Sequence, residues 1–379
     1  YLIDINGLPF TIGNDTDYSY TTYGAFITLY LKDTPIKGQV EVKKTGEKFN
    51  SSNGTFNYEE IPLENVVYNI YADEDIKSPD GQHLYYSKGT LVDVITTDKN
   101  GYAISKKLPL GKYRLVESKT DSLHVLDTKE YHFELTEVDN KTAIVYKLFS
   151  ILNRYKKGEL EFTKTDLVSG EAITNTKIEI YTDEDVLVFS GVTDVDGKIV
   201  IKDLPVNQKF YILEIESATG YIKTDEKIYF EINENGGIVK VNMNNKPITG
   251  TLEFTKTDVS TSKTLPNTLI EIYTDEDELI FSGKTDDNGK IIIPNLKYGK
   301  YYIVERKAPE GYILNDEKMY FEINENEEIV KCTMTNEKIV VDVPNTEENE
   351  KFLIEIISGI ICVSGIGIII YARKKSEKE

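Results

Sequence analysis

The chain has 379 residues and a formal net charge of −20, from 44 Lys+Arg against 64 Asp+Glu. That sign argues against a nucleic-acid partner, which needs a basic face. Hydrophobic residues at 40% exclude a disordered chain, and 25 Gly with 11 Pro exclude a collagen-like one.

The length fits two to three domains. The regular segments are rich in Ile, Val, Tyr, Thr and Phe, which suit a pleated surface, so a mainly β protein is expected. Two cysteines, Cys332 and Cys362, cannot build a disulfide framework. The histidines His83, His124 and His132 are too few and too scattered for a metal site, and no cofactor is expected.

Residues 1–36 hold several aromatics and one alternating run, AFITLYL from Ala25. They read as the remnant of a preceding domain or a linker. With no charged-then-apolar leader after Tyr1, the chain is expected to be a mature or trimmed fragment; a missing N-terminal region has room for a head that binds a host or surface ligand, which the sequence does not show.

An internal repeat follows. GELEFTKTD from Gly158 recurs as GTLEFTKTD from Gly250, IEIYTDED from Ile178 recurs from Ile270, and YFEINEN from Tyr229 recurs from Tyr320. A diverged copy precedes them: GQVEVKKTG from Gly38, NIYADED from Asn69, ITTDKNG from Ile95 and LPLGKYRLVE from Leu108. The expected domains are residues 37–156, 157–248 and 249–341. Within each, short alternating runs are broken by turn signals every ~8–12 residues, and TDKNG, TDVDG and TDDNG carry the Asp/Asn-Gly content of hairpin turns. The expected architecture is all-β, a tandem series of Ig-like or prealbumin-like β-sandwiches.

Strand parity exposes an anomaly. Side chains alternate with period 2, so Lys44 shares the face of Val40 and Val42, Lys164 that of Leu160 and Phe162, and Lys256 that of Leu252 and Phe254. An acid behaves alike: Glu117 follows Tyr113 and Leu115, Glu214 follows Phe210 and Ile212, and Glu305 follows Tyr301 and Ile303. Each copy then closes on an asparagine in step with apolar residues: Asn153, Asn245 and Asn336. Lys43 adjoins the first lysine, and Glu216 has the same parity as Glu214. A single inward lysine usually snorkels to water and a strand-end Asn usually serves a turn. The same trio at matching offsets in three copies points to a shared chemical role.

Burial drives an amine and a carboxyl toward their neutral forms. A neutral amine is a nucleophile, and a protonated carboxyl polarises an amide carbonyl. Attack on the Asn amide would give a Lys–Asn isopeptide bond and release ammonia, with the Glu moving protons between amine and leaving group.

The GxLEFTKTD opening, the TDxxGK turn, the GKYYIVERKAPEGY segment and the closing TMTNEK resemble the Cna B-type domains of Gram-positive adhesins and pilins, also called SpaA-like or prealbumin-like. In that family the isopeptide lysine lies in the first strand, the Asn in the last and the catalytic acid before the APxGY loop. The resemblance implies crosslinks Lys44–Asn153, Lys164–Asn245 and Lys256–Asn336, with Glu117, Glu214 and Glu305 as the acids. SATGY and SKTDSLHVL stand in place of the APxGY loop in the second and first copies.

The C-terminus reads as an anchor. Residues 352–372 are 21 almost uncharged residues, enough to cross a ~30 Å bilayer core as a transmembrane helix. Arg373, Lys374 and Lys375 follow, placing the tail in the cytoplasm and the domains outside. Before the span stand Val343, Pro344, Asn345, Thr346 and Glu347, which with the apolar segment and basic tail resemble the sorting signal of Gram-positive wall proteins, Leu-Pro-any-Thr-Gly. The resemblance implies a sortase and cell-wall peptidoglycan as partners and a cell-wall location. The acidic runs Asp183, Glu184, Asp185 and Asp275, Glu276, Asp277 lack EF-hand spacing and read as solvated turns. No nucleophile–base pattern or phosphate-cradling loop appears, so turnover of an external substrate is not expected. The combined expectation is a wall-anchored stalk or adhesin that crosslinks itself. The alternatives are a pilin subunit polymerised by a pilus sortase and a permanent single-pass membrane receptor.

Overall fold

The computed structural model describes residues 17–21, 24–28, 35–139 and 142–340. The pentapeptide 343–347, the span 352–372 and Cys362 lie outside them. Among the described residues every regular element is a strand, and no helix is long and apolar enough to cross a membrane.

Strands Asp17–Thr21 and Gly24–Thr28 pair antiparallel. Three sandwiches follow, each with a sheet built around its opening strand and a four-stranded sheet facing it. In the second copy Lys157–Asp166 sits between Lys198–Pro205 and Ile238–Asn245, and in the third Thr249–Asp258 sits between Lys290–Lys297 and Ile329–Asn336. The facing sheets are ordered Leu187–Val192, Lys177–Thr182, Lys209–Glu216, Ile228–Glu231 and Leu279–Lys284, Leu269–Thr274, Gly299–Lys307, Met319–Ile323. The opening strands alternate strictly between half-buried and buried residues, as period-2 patterning requires when one face meets a core. That face supplies Leu160 and Phe162, or Leu252 and Phe254, to the core between the sheets. Cys332 is a buried free thiol in the third core, and burial pushes its pKa up.

The opening and closing strands pair in parallel in all three copies. Asn245 lies opposite Asp166 and Asn336 opposite Asp258, two residues past the lysine. Asn153 likewise lies opposite Gly46, two past Lys44. Two residues along a strand return to the same face, so this register places each asparagine beside its lysine.

The first copy departs from the other two. Its opening strand runs over 16 residues, Lys37–Ser52, and folds back through Thr55–Pro62. This hairpin reaches the second copy, where Phe49 and Phe56 pack against its core. Phe49 meets Phe210 edge-on at 6.4 Å between centroids, and the Tyr58 hydroxyl donates to the Asp203 carbonyl at 2.8 Å. Glu47 accepts from Lys157 at 2.8 Å and from the Tyr155 amide at 3.0 Å. These contacts extend the first copy's sheet over the end of the second copy's core.

Candidate functional site

The nine residues of the three trios are all buried, none more than 3% exposed. The opening strand brings the lysine, the closing strand brings the asparagine, and the facing sheet brings the glutamate across the core.

In the second copy Lys164 Nζ donates to Asn245 Oδ1 at 2.6 Å and lies 3.3 Å from Glu214 Oε2. Asn245 Nδ2 donates to Glu214 Oε1 at 2.6 Å. One carboxylate therefore bridges the amine and the amide nitrogen, one oxygen on each. The first copy repeats this, with Lys44 Nζ 2.5 Å from Asn153 Oδ1 and 2.9 Å from Glu117 Oε2, and Asn153 Nδ2 2.5 Å from Glu117 Oε1. In the third copy Lys256 Nζ is 3.1 Å from Glu305 Oε2 and Asn336 Nδ2 donates to Glu305 Oε1 at 2.6 Å. There the lysine also donates to the Thr335 carbonyl at 3.4 Å, and Asn336 Oδ1 has no hydrogen-bond partner among the described residues.

Desolvation lowers the pKa of all three lysines, against the opposing pull of the glutamate beside each. Each acid is further held by the loop that follows it. The Thr224 amide donates to Glu214 at 2.9 Å and the Asn315 amide to Glu305 at 3.0 Å.

The lysine backbone is fixed by the hairpin turn. The Lys164 amide donates to the Gly197 carbonyl and the Lys256 amide to the Gly289 carbonyl, both at 2.8 Å. Both glycines have φ of +68°, and a Cβ on either would come within 2.8 Å of the lysine's own carbonyl oxygen. The turn therefore requires glycine for its conformation and for the close approach.

The competing residues separate cleanly. Lys43 is exposed, and Glu216 is exposed and ion-paired with Lys177 at 3.6 Å. A register shift between Lys177 and Ile178 pairs them with Glu216 and Glu214 respectively, and this bulge breaks the parity that made the two acids equivalent in sequence.

Four residues escape the reading of lysine, acid and amide alone. The Tyr68 hydroxyl donates to Glu117 Oε2 at 3.0 Å, where the other copies have Ile178 and Ile270 opposite the acid. Thr120 and Ser217 touch the amide nitrogens of Asn153 and Asn245. His124 occupies the place of Tyr221 and Tyr312, seven residues past the acid. In the third copy Tyr312 donates to Asp258 at 2.9 Å. In the first, Gly46 replaces that Asp and His124 reaches the Glu47 carbonyl at 2.8 Å. The paired change of Tyr to His and Asp to Gly was the available sequence signal.

The runs Asp183–Asp185 and Asp275–Asp277 sit in turns, with Asp185 accepting from the Tyr211 hydroxyl and Asp277 from the Tyr302 hydroxyl. Among the described residues no group of three or more candidate ligands is placed to hold a metal ion.

Fold and sites together define a series of β-sandwich domains, each with an amine, a carboxylate and an amide enclosed in its core. A family model described as SpaA, prealbumin-like fold domain, matches residues 38–147, 158–247 and 250–338, and the chain belongs to that family in three tandem copies. The bone sialoprotein-binding protein of Staphylococcus aureus (strain MRSA252) is 23% identical over 331 residues, covering 78% of this chain and 28% of that protein. The trypsin-resistant surface T6 protein of Streptococcus pyogenes serotype M6 is 42% identical over 48 residues, 13% of this chain and 9% of that one. The solved structure of the Bacillus anthracis TIE protein superposes with a TM-score of 0.61 at 31% identity, covering 79% of this chain and 51% of that one. The chain thus spans less than a third of the curated relatives and about half of the TIE structure.

Proposed function

We propose that the chain is the stalk of a Gram-positive surface protein, anchored to the wall by a sortase, and that each copy crosslinks itself with a Lys–Asn isopeptide bond. The observation that carries this reading is the carboxylate bridging amine and amide nitrogen in three separate cores. In each, a proton passes from Lys Nζ to the glutamate, and the neutral amine attacks the Asn Cγ. The Nζ–Cγ bond forms, the Cγ–Nδ2 bond breaks, and the glutamate returns the proton to Nδ2 so that ammonia leaves, then takes the second Nζ proton as the amide forms. Each site acts once. The buried setting favours the transfer because it disfavours the charged pair.

Topology supports a mechanical purpose. The crosslink joins two parallel strands at opposite ends of a copy's sequence, so a pull on the two termini loads the covalent link before the core. The amide is not reducible, which suits an extracellular protein lacking a disulfide framework. The anchoring half of the proposal rests on the pentapeptide, apolar span and basic tail of the sequence, and the relatives' names support a surface location.

Intact mass of the full chain under denaturing conditions tests the chemistry. Loss of three ammonia masses is expected, with peptide mapping assigning the pairs, and an unshifted mass would sink the mechanism. Thr346→Ala should release the protein from the wall fraction. A ladder of high-mass species in wall extracts would replace the stalk with a polymerised pilin.

A further inference from the structure

One difference among the three sites touches the amide nitrogen itself. Three residues past the acid stand Thr120, Ser217 and Ala308. Asn153 Nδ2 donates to Thr120 Oγ1 at 3.1 Å, and Asn245 Nδ2 donates to Ser217 Oγ at 2.9 Å. With the bonds to Glu117 and Glu214, both amide nitrogens have two acceptors, and their Oδ1 atoms face the lysine at 2.5 and 2.6 Å. Ala308 offers no acceptor. Among the described residues Asn336 Nδ2 bonds to Glu305 alone and its Oδ1 is an orphan, and Lys256 turns to the Thr335 carbonyl. The strand register is the same in the second and third copies, so the difference lies in the side chains.

A carboxamide has two N–H donors on one side and an acceptor on the other, and only its hydrogen bonds decide which way it points. A buried acceptor left without a donor is destabilised, so a site that lacks the second nitrogen contact holds its amide less firmly.

We propose that the hydroxyl three residues beyond the acid is a positioning residue for isopeptide formation, holding the amide with its carbonyl toward the lysine and its nitrogen toward the acid. This rests on the isopeptide reading. The hydroxyl itself exchanges no bond. The Nζ–Cγ bond forms, Cγ–Nδ2 breaks, the proton travels through the glutamate, and ammonia departs past the hydroxyl. In the second copy Ser217 also lines a surface cavity with Ile173, Asn175, Ala218 and Tyr221.

The test uses the full chain, recovered unfolded from inclusion bodies, refolded and quenched at intervals. Crosslinked peptides from each copy are then quantified by mass spectrometry, the other copies serving as internal references. Ser217→Ala should slow the second copy roughly three- to tenfold, the effect of one hydrogen bond. Ser217→Thr should restore the rate, and Ala308→Ser should accelerate the third copy. Unchanged rates in Ser217→Ala would overturn the proposal. So would a lower melting temperature from Ser217→Ala in an Asn245→Ala background with no gain from Ala308→Ser, which would make the serine a packing residue. Absence of crosslinks in every wild-type copy would overturn the isopeptide reading itself, an outcome distinct from normal crosslinking that ignores Ser217.

Discussion

Lys164 and Asn245 lie 81 residues apart in sequence, yet their Nζ and Oδ1 atoms are 2.6 Å apart in a sealed core. A covalent link there closes nearly the whole second copy into a loop. On the loop-closure model, an entropic account of crosslinks, it stabilises by about 4–5 kcal/mol. Asn245→Ala is expected to lower the stability of the second copy by that order, read as an earlier thermal transition, while its mass falls two ammonia masses, not three, below that calculated from its own sequence.

Glu305→Gln separates chemistry from folding. The amide keeps a hydrogen-bonding group between Lys256 and Asn336 but cannot carry a proton, so the third copy should fold and remain unlinked. Intact mass should show one bond missing, and circular dichroism should show the β content retained. Glu305→Ala should be worse, because removing one partner of a buried pair costs about 3–5 kcal/mol.

Gly289 is expected to resist substitution. Its φ is +68°, and an added Cβ would stand 2.8 Å from the Lys256 carbonyl oxygen and the Leu265 amide nitrogen, both backbone atoms. The left-handed conformation alone disfavours Ala by roughly 1–2 kcal/mol. Since the same turn fixes the lysine's backbone, Gly289→Ala should reduce third-copy crosslinking as well as stability, measured by peptide mapping after refolding.

The rate of bond formation should depend on pH with a definite sign. Desolvation lowers the Lys256 pKa beneath its ordinary value of 10.5, so the neutral amine becomes populated at lower pH than in a free lysine. The refolding-coupled rate should rise with pH and level off below 10.5. A rate still rising through the range of an ordinary lysine would show that the amine is not desolvated when it attacks. The same sign holds for stability in the unlinked Asn336→Ala variant. Folded Lys256 binds fewer protons than unfolded, so its contribution is present above the unfolded pKa and is lost as pH falls through the folded one.

Phe49 and Phe56 belong to the first copy by sequence and to the second copy's core by packing. Replacing both with Ala should destabilise the second copy by about 2–5 kcal/mol, within the range of aromatic truncations reduced for partial burial. Faster hydrogen exchange in strand Lys157–Asp166, with strand Val67–Ala72 unchanged, would show the coupling. Protection left intact in Lys157–Asp166 would show that the hairpin only rests on its neighbour.

The all-β class, the three copies and the inward parity of the nine residues were legible because a period of 2 is written directly into each strand. Nothing longer than a few residues was needed to see Lys164 beside Phe162 or Glu214 beside Ile212. The parity argument stopped where the pleat did. Glu216 has the parity of Glu214, and only the bulge opposite Lys177 turns it to solvent. Partners remote in sequence were equally hidden. Tyr68 reaches Glu117 across neighbouring strands, and Ser217 reaches Asn245 from a loop, through contacts that no local period encodes.

The sequence by itself determined which side chains face inward, since that depends on neighbours two residues away. The tertiary structure decided which inward groups meet. The parallel register of opening and closing strands sets each asparagine two residues past its lysine, and the facing sheet sets the glutamate across both. It also decided that the long first hairpin completes another copy's core, because the burial of Phe49 and Phe56 depends on a surface remote in sequence.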